Sequence, residues 1–262
     1  MKLGIEGRVA LVCGASKGMG LATSNALALE GVKVLMVSRD KKTLEEAEQK
    51  VASQGGVVAS LAGDVSDPEL AEQAVRQCKD LWGRVDILVN NAGGPPMGTF
   101  LEHDSLAWET AIQTSLLSVV RFCKAVAPGM KEQNWGRIIS ITSTVAKEPS
   151  PSMVLSATTR AGVSALTKTL AIELAQFNIS VNAICPGGIL TDRLVSLLKI
   201  RADREKRDYL EILSESQQSI PAKRFANPDE IADVILFLAS ERGGYVNGVS
   251  LSVDGALTKA YN

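Results

Sequence analysis

A glycine-rich turn near the start of the chain has the residue types and spacing of a phosphate-binding loop. The apolar run Val9–Cys13 leads into Gly14, Gly18 and Gly20, and a helical pattern follows. Such a turn between a first strand and a first helix presents backbone N–H groups and the positive helix end to a pyrophosphate. The residues predicted to bind it are Gly14, Ser16, Lys17, Gly18, Met19 and Gly20. Glycines also form plain tight turns, so the context of the turn decides between the two interpretations.

The residue that follows the second predicted strand, residues 33–37, indicates whether the chain would bind NAD or NADP. An acidic residue at this position would hydrogen-bond the ribose 2′-hydroxyl and repel a 2′-phosphate. This chain has Ser38 followed by Arg39, and Lys17 lies in the glycine loop. A hydroxyl and two cations favour the 2′-phosphate, so the predicted cofactor is NADP rather than NAD. Asp40 argues against this choice but lies two positions past the discriminating one, and ordinary surface charge is the alternative interpretation of Lys17 and Arg39.

Composition is that of an ordinary globular protein. The 262 residues, 45% hydrophobic and 22% charged, suit one α/β domain spanning residues 1–262. A formal net charge of −1 gives no general reason to expect nucleic acid or a membrane surface as a partner. The four cysteines lack paired or metal-ligand spacing, so we expect no metal and reduced thiols. No secretory signal or membrane-spanning run is evident, and a cytoplasmic location is expected.

Several elements must position these residues. Short apolar runs alternate with amphipathic stretches, which is typical of β-α-β units and a parallel sheet. Strands are predicted at residues 8–13, 33–37, 57–62, 87–90, 137–141, 180–184 and 250–253. Many of these runs are continuously hydrophobic, as strands buried on both faces should be. The predicted fold is therefore a Rossmann-like, doubly wound parallel sheet of about seven strands with helices on both faces.

Two Asx-Pro pairs predict helix starts. Asp67, followed by proline, predicts a helix that runs towards Trp82, and Asn227, also followed by proline, predicts another. Residues 194–219 instead interrupt the alternation of strands and helices with dense charge. Because this stretch follows a strand end, we predict that residues 191–220 form a cap over a substrate pocket. A solvated helical face is the alternative.

Further motifs follow in order along the chain. They are Asp64-Val65, Asn90-Asn91-Ala92-Gly93, Pro186-Gly187 with Ile189 and Thr191, and Val253-Asp254-Gly255. With the Gly-x-x-x-Gly-x-Gly turn they resemble the motifs of the short-chain dehydrogenase/reductase family over nearly the whole chain, and within it the 3-oxoacyl-(acyl-carrier-protein) reductases. The resemblance implies that the cofactor contacts Asp64, Val65, Asn91, Ala92, Gly93, Pro186, Gly187, Ile189, Thr191 and Arg160.

The same resemblance assigns the catalytic positions. The family uses a serine, a tyrosine thirteen residues later and a lysine four beyond it, with an asparagine from an earlier helix. This chain has Ser143, Ser156, Arg160 and Ser115 at these positions, so only the serine is retained. Arg160 remains cationic and can donate to ribose hydroxyls. A serine hydroxyl is a poor acid beside a phenol with a pKa of about 10. A water polarised by Arg160 and Ser143 is therefore the predicted proton source.

Five other side chains could take part in proton transfer. Tyr209 lies in the charged segment, Tyr245 precedes a predicted structural turn, and Tyr261 lies in the tail. His103 follows a stretch that borders the substrate mouth in the family, and its pKa suits acid–base work. Cys185 ends a predicted buried strand beside residues 186–191, which resemble the family's nicotinamide loop. A surface or packing role is the favoured interpretation of Tyr209, Tyr245, His103 and Cys185. For Tyr261 the interpretation is contact with a neighbouring subunit.

Two functions remain open from the sequence. The first is an NADPH-dependent oxidoreductase that reduces a ketone or 3-oxoacyl-type carbonyl with non-standard proton delivery. The second is a catalytically idle NADP-binding sensor, scaffold or partner subunit, which the joint change at the tyrosine, lysine and asparagine positions favours. The resemblance implies a small carbonyl or acyl-thioester substrate. It also implies a homotetramer or homodimer, with which the amphipathic stretches 110–130 and 158–176 are compatible.

Overall fold

The protein is described by a computed structural model that covers residues 2–260. Within these residues, seven parallel strands form one sheet in the order β3-β2-β1-β4-β5-β6-β7. The strands are β1 (Val9–Cys13), β2 (Lys33–Ser38), β3 (Val58–Ala62), β4 (Ile87–Asn90), β5 (Gly136–Ile141), β6 (Ile179–Pro186) and β7 (Ser250–Val253). The strand order reverses between β1 and β4, and dinucleotides bind at such switch points, outside the carboxyl ends of the strands.

Helices cover both faces of the sheet. They are α1 (Gly18–Leu29), α2 (Lys41–Ser53), α3 (Leu70–Trp82), α4 (Ser105–Ile112), α5 (Ser118–Glu132), α6 (Val154–Leu174), α7 (Asp192–Glu205), α8 (Tyr209–Ser219) and α9 (Pro228–Ala239). One apolar cluster packs α1, α2 and α9 against the sheet, and a second packs α3, α5 and α6 against its other face. The predicted three-layer, doubly wound fold is confirmed. Across residues 2–260, every helix is too short or too polar to cross a membrane.

The strands in the middle of the sheet are buried from end to end. Every residue of β1, β4, β5 and β6 is buried, whereas β3 and β7 at the edges are partly exposed. Because helices cover both faces, these central strands need no alternating polar residues, which explains their continuous apolar runs. The observed strand ends differ from the predicted ones by at most two residues, and the largest difference is at the end of β6, which continues to Pro186 along β7.

The two predicted helix starts have different outcomes. Helix α9 begins directly after Asn227, as predicted, and the Asn227 N–H donates to the Glu230 carboxylate at 2.9 Å. The prediction at Asp67 is wrong, because α3 begins at Leu70. The Asp67 carboxylate accepts from the Glu69 N–H at 2.9 Å, and its carbonyl accepts from the Leu70 N–H at 3.3 Å. Asp67 therefore closes a turn that precedes the helix.

The segment 191–220 folds into α7 and α8, which pack on each other through their own apolar cluster. That cluster contains Leu198, Ala202, Ile212, Ile220 and Phe225. The charged side chains pair on the outer surface, where Arg201 and Arg207 both bind Glu205 and Glu215. The charged residues of this segment therefore form a solvated helical face. The two helices that carry them follow directly after β6, at the carboxyl edge of the sheet.

Candidate active site

A cavity of about 550 Å³ lies at the carboxyl edge of the sheet. Residues that follow β1, β2, β4, β5 and β6 line it, together with the start of α7. The predicted site residues in its wall are Gly14, Ser16, Lys17, Gly18, Met19, Ser38, Arg39, Val65, Asn91, Ala92, Gly93, Ser143, Ser156, Arg160, Pro186, Gly187, Ile189 and Thr191. Gly20, Asp64 and Ser115 lie outside this wall. Motifs far apart in the sequence therefore meet around a single space.

The glycine loop packs against the loop after β4 at distances that exclude side chains. A Cβ on Gly14 would lie 2.2 Å from the Asn91 carbonyl oxygen, and one on Gly20 would lie 2.1 Å from the Gly14 carbonyl oxygen. The Asn91 side-chain amide donates to that same Gly14 oxygen at 3.2 Å. Gly14 and Gly18 have φ angles of 60° and 56°, which favour glycine. Gly20 thus shapes the loop from behind rather than lining the cavity.

The end of the cavity beside β2 presents hydroxyls and cations. The Ser16 and Ser38 hydroxyls are 2.9 Å apart, and both residues line the cavity with Lys17 and Arg39. The fully extended turn at Lys17 leads into α1, whose first N–H groups have no partner within the helix. This set of groups suits a phosphate better than an uncharged ribose hydroxyl.

Asp40, the acidic residue nearest to this end, is engaged elsewhere. Its carboxylate accepts from the Thr43 N–H at 2.8 Å at the start of α2. Hydrogen bonds from Thr43, with Lys17 nearby, hold the pKa of Asp40 below its ordinary value. Asp64 is similarly engaged, accepting from the Ser66 N–H and hydroxyl at 2.9 and 2.7 Å. Its other carboxylate oxygen lies 3.7 Å from Arg39.

Ser143, Ser156 and Arg160 meet at the opposite end of the cavity. The Ser143 hydroxyl caps a short 3₁₀ turn after β5 by accepting from the Val145 N–H at 3.4 Å. Ser156, buried on α6, accepts from Arg160 Nε at 3.1 Å. Arg160 Nη1 donates to the carbonyl oxygens of Ile141, at 3.1 Å, and of Thr142. Arg160 therefore ties α6 to the end of β5.

A second arginine stands beside this group. Arg193, in the first turn of α7, donates from Nη1 to the Gly94 carbonyl and from Nη2 to the Pro95 carbonyl, both at 3.0 Å. Removal from solvent, with Arg193 nearby, lowers the pKa of Arg160 to about 10. Arg160 remains cationic at neutral pH, so this end of the cavity holds two positive charges.

Ser115 lies behind Arg160 in a π-helical turn, Gln113–Leu117, between α4 and α5. Its hydroxyl is buried and, within residues 2–260, has no hydrogen-bond partner. A cavity of about 10 Å³ borders Ser115, Asn90, Thr142 and Arg160. That volume accommodates about one water molecule between polar partners. π-Helical turns are often found at functional sites, and this one places Ser115 on the far side of Arg160 from the main cavity.

Comparison with known proteins decides the family. Residues 14–258 match the family model described as enoyl-(acyl carrier protein) reductase. The chain is 33% identical over 255 residues to the 3-oxoacyl-(acyl-carrier-protein) reductase FabG of Vibrio cholerae, covering 97% of this chain and 99% of that protein. It belongs to the short-chain dehydrogenase/reductase family. The nodulation protein G of Azospirillum brasilense is 36% identical to this family member over 253 residues, 95% of this chain and 98% of its own.

Solved structures of other family members have the same fold. L-sorbose reductase from Gluconobacter frateurii, in a complex with NADPH and L-sorbose, superposes with a TM-score of 0.94 at 34% identity, with 99% of each chain covered. A variant of actinorhodin polyketide ketoreductase with NADPH gives 0.93 at 31% identity, covering 96% of this chain and 97% of that one. This short-chain dehydrogenase/reductase is thus an oxidoreductase by family. The names of these relatives give different carbonyl substrates, so family membership does not identify the substrate of this protein.

Other proton-transfer candidates lie away from the cavity of this family member. Tyr209, Tyr245, His103 and Cys185 are all absent from its wall within the described residues. Tyr245 is fully exposed, and Tyr209 packs against the apolar cluster of α7 and α8. Cys185 is buried in β6, with its sulfur 3.1 Å from the Thr142 hydroxyl, and burial raises its pKa. Tyr261 lies outside the described residues.

The wall of this cavity also contains residues that the sequence does not single out as site residues. They are Gly63, Gly94, Ile141, Thr142 and Met153, together with Asp192, Arg193, Leu194, Ser196 and Leu197 of the predicted cap segment. Gly94 and Thr142 are direct neighbours of predicted residues, so strand ends alone could have located them. Arg193 follows the predicted Thr191 by two positions, and a cation so close to the nicotinamide loop was the available signal.

Proposed function

We propose that the protein is an NADPH-dependent oxidoreductase that reduces a ketone or a 3-oxoacyl-type carbonyl without a tyrosine acid. The observation that supports it most is the continuity of one cavity, which runs from the glycine loop to Ser143, Ser156 and Arg160. Relatives of the same fold were solved with NADPH, including the L-sorbose reductase. The cavity thus combines a fit for a dinucleotide with polar groups for a carbonyl oxygen.

The chain's residues fit NADP at each part of the molecule. Bound NADPH would supply the hydride. The proposed contacts are Gly14, Gly18 and Met19 for the pyrophosphate, with Gly20 shaping the loop. The 2′-phosphate would be held by Ser16, Lys17, Ser38 and Arg39. The adenine would contact Asp64 and Val65. The cavity wall beneath the dinucleotide would be formed by Asn91, Ala92 and Gly93. Pro186, Gly187, Ile189 and Thr191 would border the nicotinamide, and Arg160 its ribose. Asp40 stays ionised and is turned to the Thr43 N–H at the start of α2, with Lys17 and Lys42 close enough to offset its charge.

Proton delivery is the part of the reaction that this chain must carry out differently. The Ser143 hydroxyl would hold the carbonyl oxygen. Ser156 receives a hydrogen bond from Arg160, so its own O–H remains free to orient a water molecule. Arg160 would polarise that water, which then supplies the proton. General acid–base help contributes about 10²–10⁴-fold to a typical reaction, so we expect slow turnover rather than none.

One observation favours the idle alternative, an NADP-binding sensor, scaffold or partner subunit. Three of the N–H groups of Arg160 are engaged with Ser156, Ile141 and Thr142, which holds the side chain in a structural role. Under this alternative the cavity binds NADP and serves recognition alone.

Titration and turnover assays of the purified protein separate these functions. We expect NADPH to bind at least tenfold more tightly than NADH, measured by quenching of intrinsic tryptophan fluorescence. We also expect NADPH oxidation with at least one member of a panel of ketones, diketones and acetoacetyl thioesters. NADPH binding with no oxidation across the panel would support the idle alternative. Absence of NADPH binding would contradict both functions.

Three further properties are proposed with the function. We propose that residues 1–262 act as one domain, with α7 and α8 as a cap whose Leu194 and Leu197 face the substrate. We propose a homodimer or homotetramer, because apolar side chains such as Leu106 and Ile172 are exposed on α4 and α6. Light scattering after size-exclusion chromatography would test the assembly. A cytoplasmic location is proposed from the sequence, and fractionation of the native host would test it.

A further inference from the structure

Two guanidinium groups converge on one point in the cavity. A Cβ on Gly94 would lie 2.6 Å from Arg193 Nη2 and 3.3 Å from Arg160 Nη2. Gly94, Arg160 and Arg193 all line the cavity, as do Ser143 and Ser156. The two cations therefore border the place where the carbonyl oxygen is proposed to bind. Like charges so close together repel, and such an arrangement calls for an anion between them.

The described protein supplies no such anion. Across residues 2–260, neither Arg160 nor Arg193 forms an ion pair with a carboxylate. Asp192 also lines the cavity, but it is exposed and pairs with neither guanidinium. Two exposed arginines elsewhere do pair with carboxylates, Arg204 with Glu102 and Arg224 with Glu230. The two cavity arginines differ from these in having only carbonyl and hydroxyl oxygens as partners.

Each guanidinium has N–H groups left for a ligand. A guanidinium carries five N–H groups. Arg160 uses Nε and Nη1 on Ser156, Ile141 and Thr142, so Nη2 is left without a partner among the described residues. Arg193 uses one N–H of Nη1 and one of Nη2 on backbone carbonyls. The remaining Nη2 donors of both residues lie near Gly94, where the two oxygens of a carboxylate could accept from both.

We infer that the substrate carries a carboxylate or similar acidic group near its carbonyl, and that Arg193 binds this group together with one of the two Nη2 N–H groups of Arg160. The second Nη2 N–H of Arg160 remains for the proposed nicotinamide ribose. The inference rests on the proposed reductase function and narrows its substrate to oxo acids. Reduction would add a hydride from bound NADPH to the carbonyl carbon and a proton from water to the oxygen, breaking the C=O π bond. The products are a hydroxy acid, NADP⁺ and a hydroxide ion that bulk solvent neutralises, with the acidic group unchanged.

A phosphate of the cofactor is the other possible source of negative charge. Two observations favour the substrate. The pyrophosphate has its own proposed partners at the glycine loop, where the first N–H groups of α1 have no partner within the helix. The arginine pair lies instead at Gly94 with Ser156, at the end of the cavity that holds the proposed oxygen site. The experiment must still distinguish the two sources.

The test pairs each oxo acid with its uncharged methyl ester. Pyruvate, 2-oxobutyrate and acetoacetate are titrated by calorimetry into the NADP⁺ complex, in which no hydride is available, and are then assayed for turnover with NADPH. At least one acid should bind about 10- to 100-fold more tightly than its ester, the range for hydrogen bonds to a charged group. Arg193→Gln should lower kcat/KM at least tenfold more for that acid than for its ester. Arg204→Gln, on the same helix but outside the cavity, is the matched control.

The outcomes separate the inference from the function. Esters bound and reduced as well as their acids would overturn the inference and leave the reductase function in place. An acid preference in binding without any turnover would uphold the anion site and contradict the reductase. A loss of NADPH affinity in Arg193→Gln as large as the loss for the acid would assign the arginine pair to a cofactor phosphate and overturn the inference.

Discussion

Arg160 illustrates how the shape of one cation determines the chemistry around it. A lysine offers a point charge on a flexible stem, whereas arginine offers a rigid planar fork of donors. In this chain the fork bridges Ser156 on α6 and two carbonyl oxygens at the end of β5, and one nitrogen remains for a ligand. Because Arg160 Nε donates to the Ser156 hydroxyl, the two residues act as one hydrogen-bonded pair.

Introducing a tyrosine and a lysine together should test the role of this pair. The double variant Ser156→Tyr, Arg160→Lys gains a phenol with a pKa near 10 that an adjacent ammonium can lower further. We expect turnover with uncharged ketones to rise about 10²-fold or more, within the range for general acid catalysis. Steady-state kinetics with NADPH would measure it.

Each single change provides a control for the double variant. Ser156→Tyr alone should gain little, because the tyrosine would meet the intact guanidinium. Unchanged turnover in the double variant, with intact NADPH binding, would show that the substrate pocket itself differs from that of working relatives.

Gly20 provides a second prediction at the scale of single residues. In Gly20→Ala the added methyl would approach the Gly14 carbonyl to 2.1 Å and the Asn91 amide to 2.8 Å, so the loop must move. We expect NADPH affinity to fall at least tenfold in fluorescence titration. Gly129→Ala on α5, where nothing lies within 4 Å, is the matched control. It should bind NADPH normally and gain up to about 1 kcal/mol of stability. Equal affinities in the two variants would refute the packing role of Gly20.

Helix α9 shows how a local signal fixes an element and makes it sensitive to pH. Arg224 binds both oxygens of Glu230 at 2.7 Å, and the Asn227 N–H donates to the same carboxylate at 2.9 Å. These bonds lower the pKa of Glu230 from 4.5 to about 2. Since the folded-state pKa is depressed, the stabilisation is complete above pH 4.5 and is lost as the pH falls towards 2.

The variant Glu230→Gln should therefore lower the melting temperature at pH 7 and have little effect near pH 2. Thermal unfolding at several pH values between 2 and 7 would measure the difference from the unchanged protein. Glu46→Gln is the control, because Glu46 is exposed on α2 and has no ion pair within the described part of the chain. A pH-independent effect of Glu230→Gln would contradict the role of the carboxylate charge.

The elements also show what a sequence reveals and what it leaves out. Central strands could be predicted because burial on both faces leaves an unbroken apolar run, and α9 because Asn227 carries its own start signal. Asp67 has the same Asx-Pro signal but closes a turn, a choice made by surrounding contacts. Arg193 could not be assigned from charge density, since its partners Gly94 and Pro95 lie about a hundred positions away in the chain. Sites assembled from distant loops depend on packing that local patterns do not encode.

At the scale of the whole molecule, the two edges of the sheet treat charge differently. At the amino edge, buried Asp86 accepts from Arg8 and from the Val9 N–H, and buried Arg137 donates to three carbonyl oxygens. Those charges are balanced by the protein itself, which is expected of groups that serve stability. At the carboxyl edge, Arg160 and Arg193 keep N–H groups that have no acceptor among the described residues and can donate to a ligand. The distribution of unmatched charge therefore separates the functional edge from the structural one.

The four cysteines allow a test of how tightly the whole sheet is packed. Cys13, Cys78, Cys123 and Cys185 are all buried. Burial raises the pKa of Cys78 and of Cys123 to about 12 and also raises the pKa of the other two thiols. Thiolates are the reactive form, so both access and ionisation protect these residues. We expect maleimide labelling of the native protein at pH 8 to be limited by unfolding, whereas all four react promptly in denaturant.

The same shifts set the alkaline limit of stability. Because the folded-state pKa of these thiols is raised above 9.0, the neutral thiols stabilise the fold fully below pH 9 and this contribution is lost as the pH rises above it. Urea unfolding should therefore show a lower midpoint at pH 10 than at pH 8, and replacing Cys78 by alanine should reduce that difference.

Ser53→Cys, exposed on α2, controls for the activity of the maleimide and should label at once. Prompt labelling of Cys13 or Cys185 alone would instead show that the strands beneath the cavity open locally, and bound NADPH should then slow the reaction.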